Sequence, residues 1–139
     1  MAGCQNANGE MTSVPKVKST QVVSKSTAED VVLMLEKVVE NAPIGRATAV
    51  PGYRTAGKTG TAEITEGNGY GDYFAASFFG MAPADNPKYV LGVMIYKPKK
   101  IYTTSMAASS AYQRILSKVL LANRVPPSTT KSPEVASEW

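Results

Sequence analysis

The sequence predicts an α+β fold in which an antiparallel sheet packs against an N-terminal and a C-terminal helix. Residues 26–41 and 105–123 repeat apolar side chains at three- and four-residue steps, which indicates two amphipathic helices. Between them lie three segments of extended character, separated by turn residues. Because strands joined by short turns pair antiparallel, this order favours helices packed on one antiparallel sheet.

The composition is that of a single ordinary globular domain. The chain has 139 residues, of which 43% are hydrophobic and 19% charged. No apolar run approaches the roughly 18 residues that a membrane span needs. The net charge of +4 is scattered, and its densest cluster, Lys97, Lys99 and Lys100, follows an apolar run. That position is typical of a solvated strand end, so we expect no nucleic-acid partner.

The residue inventory excludes several kinds of catalytic centre. Cys4 is the only cysteine, which excludes an internal disulfide, and the sequence contains no histidine. A Ser-His-Asp triad or a zinc cluster therefore cannot form within this chain. We expect neither a metal nor another cofactor.

The ends of the chain differ in composition from its centre. Residues 1–20 are polar, and Asn8-Gly9 is their only clear turn signal, so we expect an irregular arm. Residues 128–139 are rich in Ser, Thr, Pro and charge, which predicts a disordered tail. The domain proper should therefore span residues 21–127.

The first helix should begin at Ser26, because Ser26 and Glu29 have the spacing of a capping box. It should end near Asn41, before Pro43. Its predicted apolar face consists of Ala28, Val31, Val32, Leu35, Val38 and Val39.

Three strands follow, at residues 54–65, 73–81 and 89–96. The glycine-rich residues 66–72 should form a flexible connection, and residues 83–87 a turn. Both faces of the third strand are apolar, so we expect it to be packed on both sides. The last helix should then run from Ser105 to Asn123, with its apolar stripe formed by Ala108, Ala111, Tyr112, Ile115, Val119 and Ala122.

The stretch around Lys58 matches two incompatible motifs. Gly52, four intervening residues and Gly57-Lys58-Thr59 have the spacing of a phosphate loop. That motif requires a helix beginning at Lys-Thr, whereas the residues after Gly60 favour extended structure. On a strand, Lys58-Thr59-Gly60-Thr61 would instead supply an ammonium, two hydroxyls and a position without a side chain. Such a strand suits a carboxylate-bearing peptide, and the nucleotide site remains the remote alternative.

Four quoted segments together resemble a known family. "VVSKSTAEDVVLMLEKVVE", "ATAVPGYRTAGKTGTA", "AGKTGTAE" and "YFAASFFGMAPADNPKYVLGVMIYKP" are similar to the C-terminal part of penicillin-binding D,D-transpeptidases, most of all the high-molecular-weight class B type of bacterial septum or side-wall synthesis. The resemblance covers residues 20–127. It implies that the three strands belong to a larger five-stranded antiparallel sheet, the fold shared with β-lactamases. Residues 89–96 should then present an unpaired apolar edge.

The resemblance also implies roles for the motif residues. Lys58 would tune the catalytic site electrostatically, the hydroxyls of Thr59 and Thr61 would hold the substrate or penicillin carboxylate, and Gly60 would keep the strand surface clear. The backbone N–H of Thr61 would be one arm of the oxyanion hole. Arg46 and Arg54 either approach that carboxylate or are surface residues.

The implied biology is peptidoglycan cross-linking during cell-wall synthesis and cell division. The implied ligands are peptidoglycan stem peptides and β-lactams, and the implied protein partners are the missing N-terminal part of the transpeptidase domain and divisome proteins. The location would be the extracytoplasmic face of the bacterial membrane, with any anchor outside this sequence.

The sequence departs from the family pattern in the nucleophile. Such enzymes also use Ser-x-x-Lys and Ser-x-Asn motifs. Ser13 to Lys16 includes a proline, Ser128 to Lys131 lies in the predicted tail, and no Ser-x-Asn occurs. We therefore expect this chain to be inactive alone. The alternative is a non-catalytic module that binds peptidoglycan or a partner protein.

Overall fold

The structure is a computed structural model that describes residues 4–12, 18–67, 69–99 and 104–135. Its helices and strands confirm the predicted α+β class. In chain order they are β1 (Cys4–Gln5), β2 (Met11–Thr12), α1 (Lys25–Asn41), α2 (Pro43–Arg46), β3 (Ala56–Glu66), β4 (Gly69–Ala82), β5 (Tyr89–Tyr96) and α3 (Thr104–Ala122).

The N-terminal arm contains a small hairpin in which β1 pairs antiparallel with β2. The Asn6 side chain accepts hydrogen bonds from the N–H groups of Asn8, at 3.0 Å, and Glu10, at 2.9 Å. Gly9 has φ +83, which a glycine adopts without strain. The predicted turn at Asn8-Gly9 is confirmed. The strands were missed because two residues are too few to show an alternating pattern.

The N-cap of helix α1 lies two residues earlier than predicted. Ser24 is extended, with φ −66 and ψ 158, and its hydroxyl accepts from the Thr27 N–H at 3.1 Å. The predicted cap at Ser26 is therefore wrong, because a better-placed serine precedes it. The end at Asn41 is confirmed, and Pro43 then opens α2 at a position where its missing N–H costs nothing.

Only the second half of α1 is buried. Residues 25–31 are all exposed, including Ala28 and Val31 of the predicted apolar face. The most buried residues are Glu36, 1% exposed, and Val39, 2% exposed. A carboxylate thus occupies the centre of the face that contacts the protein.

The main sheet has the strand order β3-β4-β5, with both pairs antiparallel. The β3–β4 pairing runs from Ala56↔Met81 to Glu66↔Gly69, with an irregularity between Glu63 and Thr65. The prediction of a flexible connection over 66–72 is therefore wrong for residues 69–72, which extend β4. The glycines of this segment favoured a long loop, but the pairing of Glu66 with Gly69 leaves room for a short connection alone. The third strand, Tyr89–Tyr96, is confirmed.

One face of the sheet forms the core with α3. The rings of Phe78 and Tyr112 lie 4.6 Å apart between centroids at 60°. The buried stripe of α3 recurs every four residues and contains Leu116 and Leu120, whereas Ile115 of the predicted stripe is 44% exposed. The core cluster comprises Val39, Val50, Phe78, Ala82, Ala108, Tyr112, Leu116 and Leu120.

The opposite face is open, so the prediction of packing on both sides of β5 is wrong for the described residues. Phe79 is 52% exposed and Val90 74% exposed, and alternation along the strands places them away from Phe78. Met94 and Tyr96 are exposed on the same face. Within the described part of the chain β5 pairs only with β4, as the predicted unpaired edge requires.

The segment after α3 is held against the domain. The Ser128 N–H donates to the Gly52 carbonyl at 3.0 Å, and the Ser128 hydroxyl donates to Asp85 at 2.9 Å. The same hydroxyl accepts from the Arg54 N–H at 3.1 Å. These bonds give an ordered position to the start of the segment 128–139, which was predicted to be disordered. Residues 136–139 lie outside the described part of the chain.

Replacing Gly80 by alanine should destabilise the domain by about 1–3 kcal/mol, because a Cβ there would lie 2.5 Å from the Tyr112 hydroxyl oxygen and 2.6 Å from the Ala56 carbonyl oxygen. Gly69→Ala is the matched control, since nothing lies within 4 Å of its added Cβ. Urea unfolding of both variants measures the difference. Equal losses would contradict the close approach of Tyr112 to β4.

The stability of the domain should fall at high pH partly through Tyr112. Burial raises the pKa of Tyr112 above its ordinary value, and its hydroxyl has no hydrogen-bond partner among the described residues. The unfolded chain therefore releases this proton first, and stability is lost as the pH rises above about 10. Tyr112→Phe should reduce that loss and change the stability at pH 7 by less than about 1 kcal/mol.

The control for the pH series is Tyr96→Phe, which removes the hydroxyl of an exposed tyrosine, 64% accessible. Urea unfolding between pH 7 and pH 11 compares the two variants with the parent chain. An alkaline loss of the same size in Tyr112→Phe and the parent would show that the buried phenol does not cause it.

Candidate functional site

The Lys58–Thr61 run lies within β3. Residues 56–66 are extended throughout, and Lys58 pairs with Phe79 of β4. No helix begins at Lys58, so the phosphate-loop alternative is wrong. Gly52, with φ +81, instead belongs to a tight turn in which the Tyr53 N–H donates to the Val50 carbonyl at 3.0 Å.

The ammonium of Lys58 is exposed on the open face of the sheet. Its Nζ lies 3.2 Å from the hydroxyl oxygen and 3.2 Å from the carbonyl oxygen of Thr59. The neighbouring Phe79 ring lies against Gly92, where a Cβ would collide with it. Lys58, Phe79 and Gly92 thus form one row across the three strands. A cationic and an aromatic residue are therefore cross-strand neighbours on the exposed face.

Gly60 has a packing role that the sequence did not reveal. A Cβ at Gly60 would lie 2.6 Å from the Ser77 hydroxyl oxygen, and that hydroxyl donates to the Gly60 carbonyl at 3.3 Å. The resemblance implied that glycine keeps the strand surface clear for a ligand. In the structure the nearest group that needs the space is Ser77.

The remaining motif residues lie at the outer side of the sheet. Thr59 is partly buried and Thr61 is exposed. Within the described residues β3 pairs with β4 alone, so its other edge is not covered by a strand. In an antiparallel sheet, alternate backbone groups of such an edge point outward and can bind an extended peptide. Ammonium, hydroxyls and edge amides together suit a peptide with a carboxylate.

A buried ion pair fixes the chain just before this strand. The Nε of Arg54 lies 2.7 Å from one oxygen of Glu36, and its second terminal nitrogen lies 2.7 Å from the other. The hydrogen bond to Glu36 raises the pKa of Arg54 further, against the opposing effect of burial. The Arg54 carbonyl also accepts from the Ala84 N–H at 2.7 Å. Helix α1, the β4–β5 turn and the entry to β3 are therefore tied at one residue.

Sequence reasoning missed this pair. It placed Arg54 either near the substrate carboxylate or at the surface, and it gave Glu36 no role. The signal was available, because Glu36 follows Val32 by four residues and precedes Val39 by three, on the apolar side of a helix. A carboxylate in that position requires a cationic partner.

Of the two Ser-x-x-Lys matches, one lies within the described residues. Ser13 to Lys16 lies outside them. Ser128 to Lys131 is irregular rather than helical, and the Ser128 hydroxyl is bonded to Asp85. In the described residues, therefore, the surface around Lys58 contains binding groups, and the Ser128–Lys131 match supplies no activated serine.

An α+β domain with a Lys-Thr-Gly-Thr strand at the outer side of its sheet is the arrangement of penicillin-recognising proteins. The sequence matches the penicillin binding protein transpeptidase domain over residues 5–120. The chain therefore belongs to the penicillin-binding protein transpeptidase family, as the resemblance implied. The matched range begins inside the segment predicted to be an arm, so the boundary at residue 20 remains a prediction.

Two curated relatives support the family assignment. The chain is 41% identical over 102 residues to penicillin-binding protein PbpB of Mycobacterium tuberculosis, covering 67% of this chain and 15% of that protein. It is 39% identical over 126 residues to the probable peptidoglycan D,D-transpeptidase PbpC of Pseudomonas aeruginosa, covering 88% of this chain and 22% of the relative. This chain thus spans a minor part of the length of these relatives.

Solved structures confirm the fold. The crystal structure of penicillin-binding protein 3 from Mycobacterium tuberculosis, complexed with ampicillin, superimposes with a TM-score of 0.73 at 35% identity, covering 93% of this chain and 31% of that chain. A peptidoglycan synthetase from Bifidobacterium adolescentis gives a TM-score of 0.73 at 26% identity, covering 91% of this chain and 23% of the other. The helices and the three-stranded sheet are therefore those of a transpeptidase domain.

Glu36→Ala should cost about 3–5 kcal/mol of unfolding free energy, because it leaves the largely buried Arg54 guanidinium unpaired. The matched control is Glu29→Ala, which breaks the Lys25–Glu29 pair, whose side chains are 88% and 64% exposed. That control should cost less than about 1 kcal/mol. Denaturant unfolding measures both, and losses of similar size would contradict the central role of the buried pair.

Proposed function

We propose that this chain carries the substrate-binding strand of a peptidoglycan D,D-transpeptidase. Lys58, Thr59, Gly60 and Thr61 bind the carboxylate-bearing end of a stem peptide, or of a β-lactam, along β3. The observation that carries this proposal is the exposed Lys58 ammonium beside the Thr59 hydroxyl on an outer strand. Family membership supports it.

Lys58 and Thr61 are the catalytic contributors in this proposal. The Lys58 ammonium supplies positive potential on the strand where the substrate carboxylate lies. The backbone N–H of Thr61 donates to the oxygen that becomes negative in the tetrahedral intermediate, a contribution of roughly 3 kcal/mol in comparable enzymes. The Thr59 hydroxyl holds the carboxylate, and no metal or cofactor takes part.

The nucleophile in this proposal comes from outside the 139 residues. The rest of a transpeptidase domain would cover two surfaces. One is the open face of the sheet, with Phe79, Val90 and Met94, and the other is the edge of β5 that pairs with no strand among the described residues. The relatives are several times longer than the matched region, which supports a five-stranded sheet completed by further sequence.

The proposed setting is peptidoglycan cross-linking in cell-wall synthesis and division, at the extracytoplasmic face of the membrane, with divisome proteins as partners. No helix in the described residues is long and apolar enough to cross a bilayer. The names of the relatives support the cell-wall role.

A second candidate is a non-catalytic module that recognises stem peptides or a partner protein. It is favoured by one observation, the presence of binding groups on β3 beside a Ser128–Lys131 match that is not helical. Sequence preceding Met1 in the genome separates the candidates, because an in-frame Ser-x-x-Lys would make this chain part of an enzyme.

The isolated chain should form no covalent adduct with penicillin. Purified chain is incubated with fluorescent penicillin and run on a denaturing gel, with Mycobacterium tuberculosis PbpB as the positive control. No labelled band is expected, because the Ser-x-x-Lys match within the described residues is not helical and its Ser128 hydroxyl is bonded to Asp85. A band on the isolated chain would contradict the proposed division of the site.

The role of Lys58 is tested by placing the chain in a complete relative. The aligned 126-residue region of Pseudomonas aeruginosa PbpC is replaced by this chain, and acylation by fluorescent penicillin is timed. Lys58→Ala should slow acylation on the order of a hundredfold, in the range found when one charge-stabilising group is removed from an acyl-transfer site. Lys88→Ala, in the exposed β4–β5 turn, should leave the rate unchanged. Equal rates in the two variants would refute the assignment.

A further inference from the structure

A cavity of about 520 Å³ lies between α1, the end of α2, residues 52–55 and residues 128–132. No residue of the 58–61 run lines it. Its volume falls in the range of small-molecule sites, roughly 300–1,000 Å³. The cavity is therefore separate from the strand proposed to bind the transpeptidase substrate.

The two carboxylates that line this cavity are already neutralised. Glu36 is held by Arg54 through two contacts of 2.7 Å. Glu40 is paired with Lys37 at 2.7 Å. Neither carboxylate therefore offers a free negative charge to a ligand.

Two further cations line the same cavity. Arg46, in the last turn of α2, and Lys131, in the C-terminal segment, are both exposed and have no carboxylate partner among the described residues. With both acidic groups compensated, the cavity has an excess of positive charge. Its electrostatics therefore favour an anion.

Hydrogen-bond donors converge on the cavity as well. Arg54 uses two of its five N–H groups on Glu36 and one on Thr130, at 3.2 Å, which leaves two unused. A ligand oxygen would accept hydrogen bonds from these two N–H groups.

The walls of the cavity limit the size of the ligand. Val39, Ala49 and Tyr53 give it an apolar side. The opposite wall, residues 128–132, is held at Ser128 by hydrogen bonds to Gly52 and Asp85 and at Thr130 by a hydrogen bond from Arg54. A preformed wall lowers the ordering cost of binding.

We propose that this cavity binds an oxyanion, a carboxylate or phosphate group, on a compact molecule whose apolar part packs against Tyr53. Arg46 and Lys131 supply the charge, and Arg54 supplies directed hydrogen bonds. The site would act independently of the β3 strand, so it stands whether or not the transpeptidase assignment is correct.

The test is an NMR titration of the full ¹⁵N-labelled chain, in separate series, with sodium phosphate and with N-acetylglycine, at constant ionic strength. Saturable amide shifts are expected at residues 46–55 and 128–132 in at least one series. A stronger response to phosphate identifies a phosphate ligand, and a stronger response to N-acetylglycine identifies a carboxylate. The double variant Arg46→Gln, Lys131→Gln should weaken binding roughly tenfold.

Lys118→Gln is the control, because it removes an exposed lysine from α3 outside this cavity. It should leave the affinity unchanged. The proposal is overturned by non-saturable shifts in both series, or by equal affinities in the double variant and the control. Saturable shifts confined to residues 56–61 would also overturn it, because they would place the anion on β3.

Discussion

The arrangement of this domain depends on the buried ion pair between Glu36 and Arg54. Helix α1, the entry to β3, the β4–β5 turn and the C-terminal segment meet there. The Arg54 carbonyl accepts a hydrogen bond from the Ala84 N–H, and Arg54 donates hydrogen bonds to the hydroxyls of Ser128 and Thr130. Glu36 is 1% exposed, so its charge requires the guanidinium. The pair thereby fixes how the chain enters β3 and which side chains of that strand face the core.

The position at which the chain enters β3 matters, because a shift of the strand by one residue would move every side chain to the opposite face of the sheet. Gly57 faces the core, where a Cβ would lie 2.6 Å from the Phe78 ring, whereas Lys58 faces the open side. A shift of one residue would direct the ammonium of Lys58 toward Phe78 and Tyr112. Gly57 and Gly60 therefore both serve the packing of β3 against β4, on opposite faces of the strand. Lys58, which lies between them, is exposed on the open face.

Patterns within a single element were predicted well from the sequence. The bounds of β5, the end of α1 and the extended character of Lys58–Thr61 follow from local residue types. The Ser24 cap was missed because Ser24 and Ser26 both carry a suitable hydroxyl, and only backbone geometry distinguishes them. The buried stripe of α3 was misplaced because Ile115 and Leu116 are equally apolar, and only the position of the sheet decides which one is covered.

Features that join distant parts of the chain could not be predicted in the same way. Glu36 and Arg54 are 18 residues apart, and Arg54 and Ser128 are 74 apart. Nothing in their local sequence specifies these partners. The cavity lined by Arg46 and Lys131 has the same origin, since its walls come from α1, α2 and the C-terminal segment. Such sites arise from the tertiary fold, whereas the Lys-Thr-Gly-Thr strand is a local motif.

The central claim is that residues 56–66 form an outer strand in register with β4, with Lys58 opposite Phe79 and Gly60 opposite Ser77. Nuclear Overhauser contacts between the backbones of these two pairs in the labelled chain test it most directly. The account predicts cross-strand contacts at both pairs. Contacts from each α proton to the amide three residues later, over residues 58–62, would reveal a helical turn and contradict it.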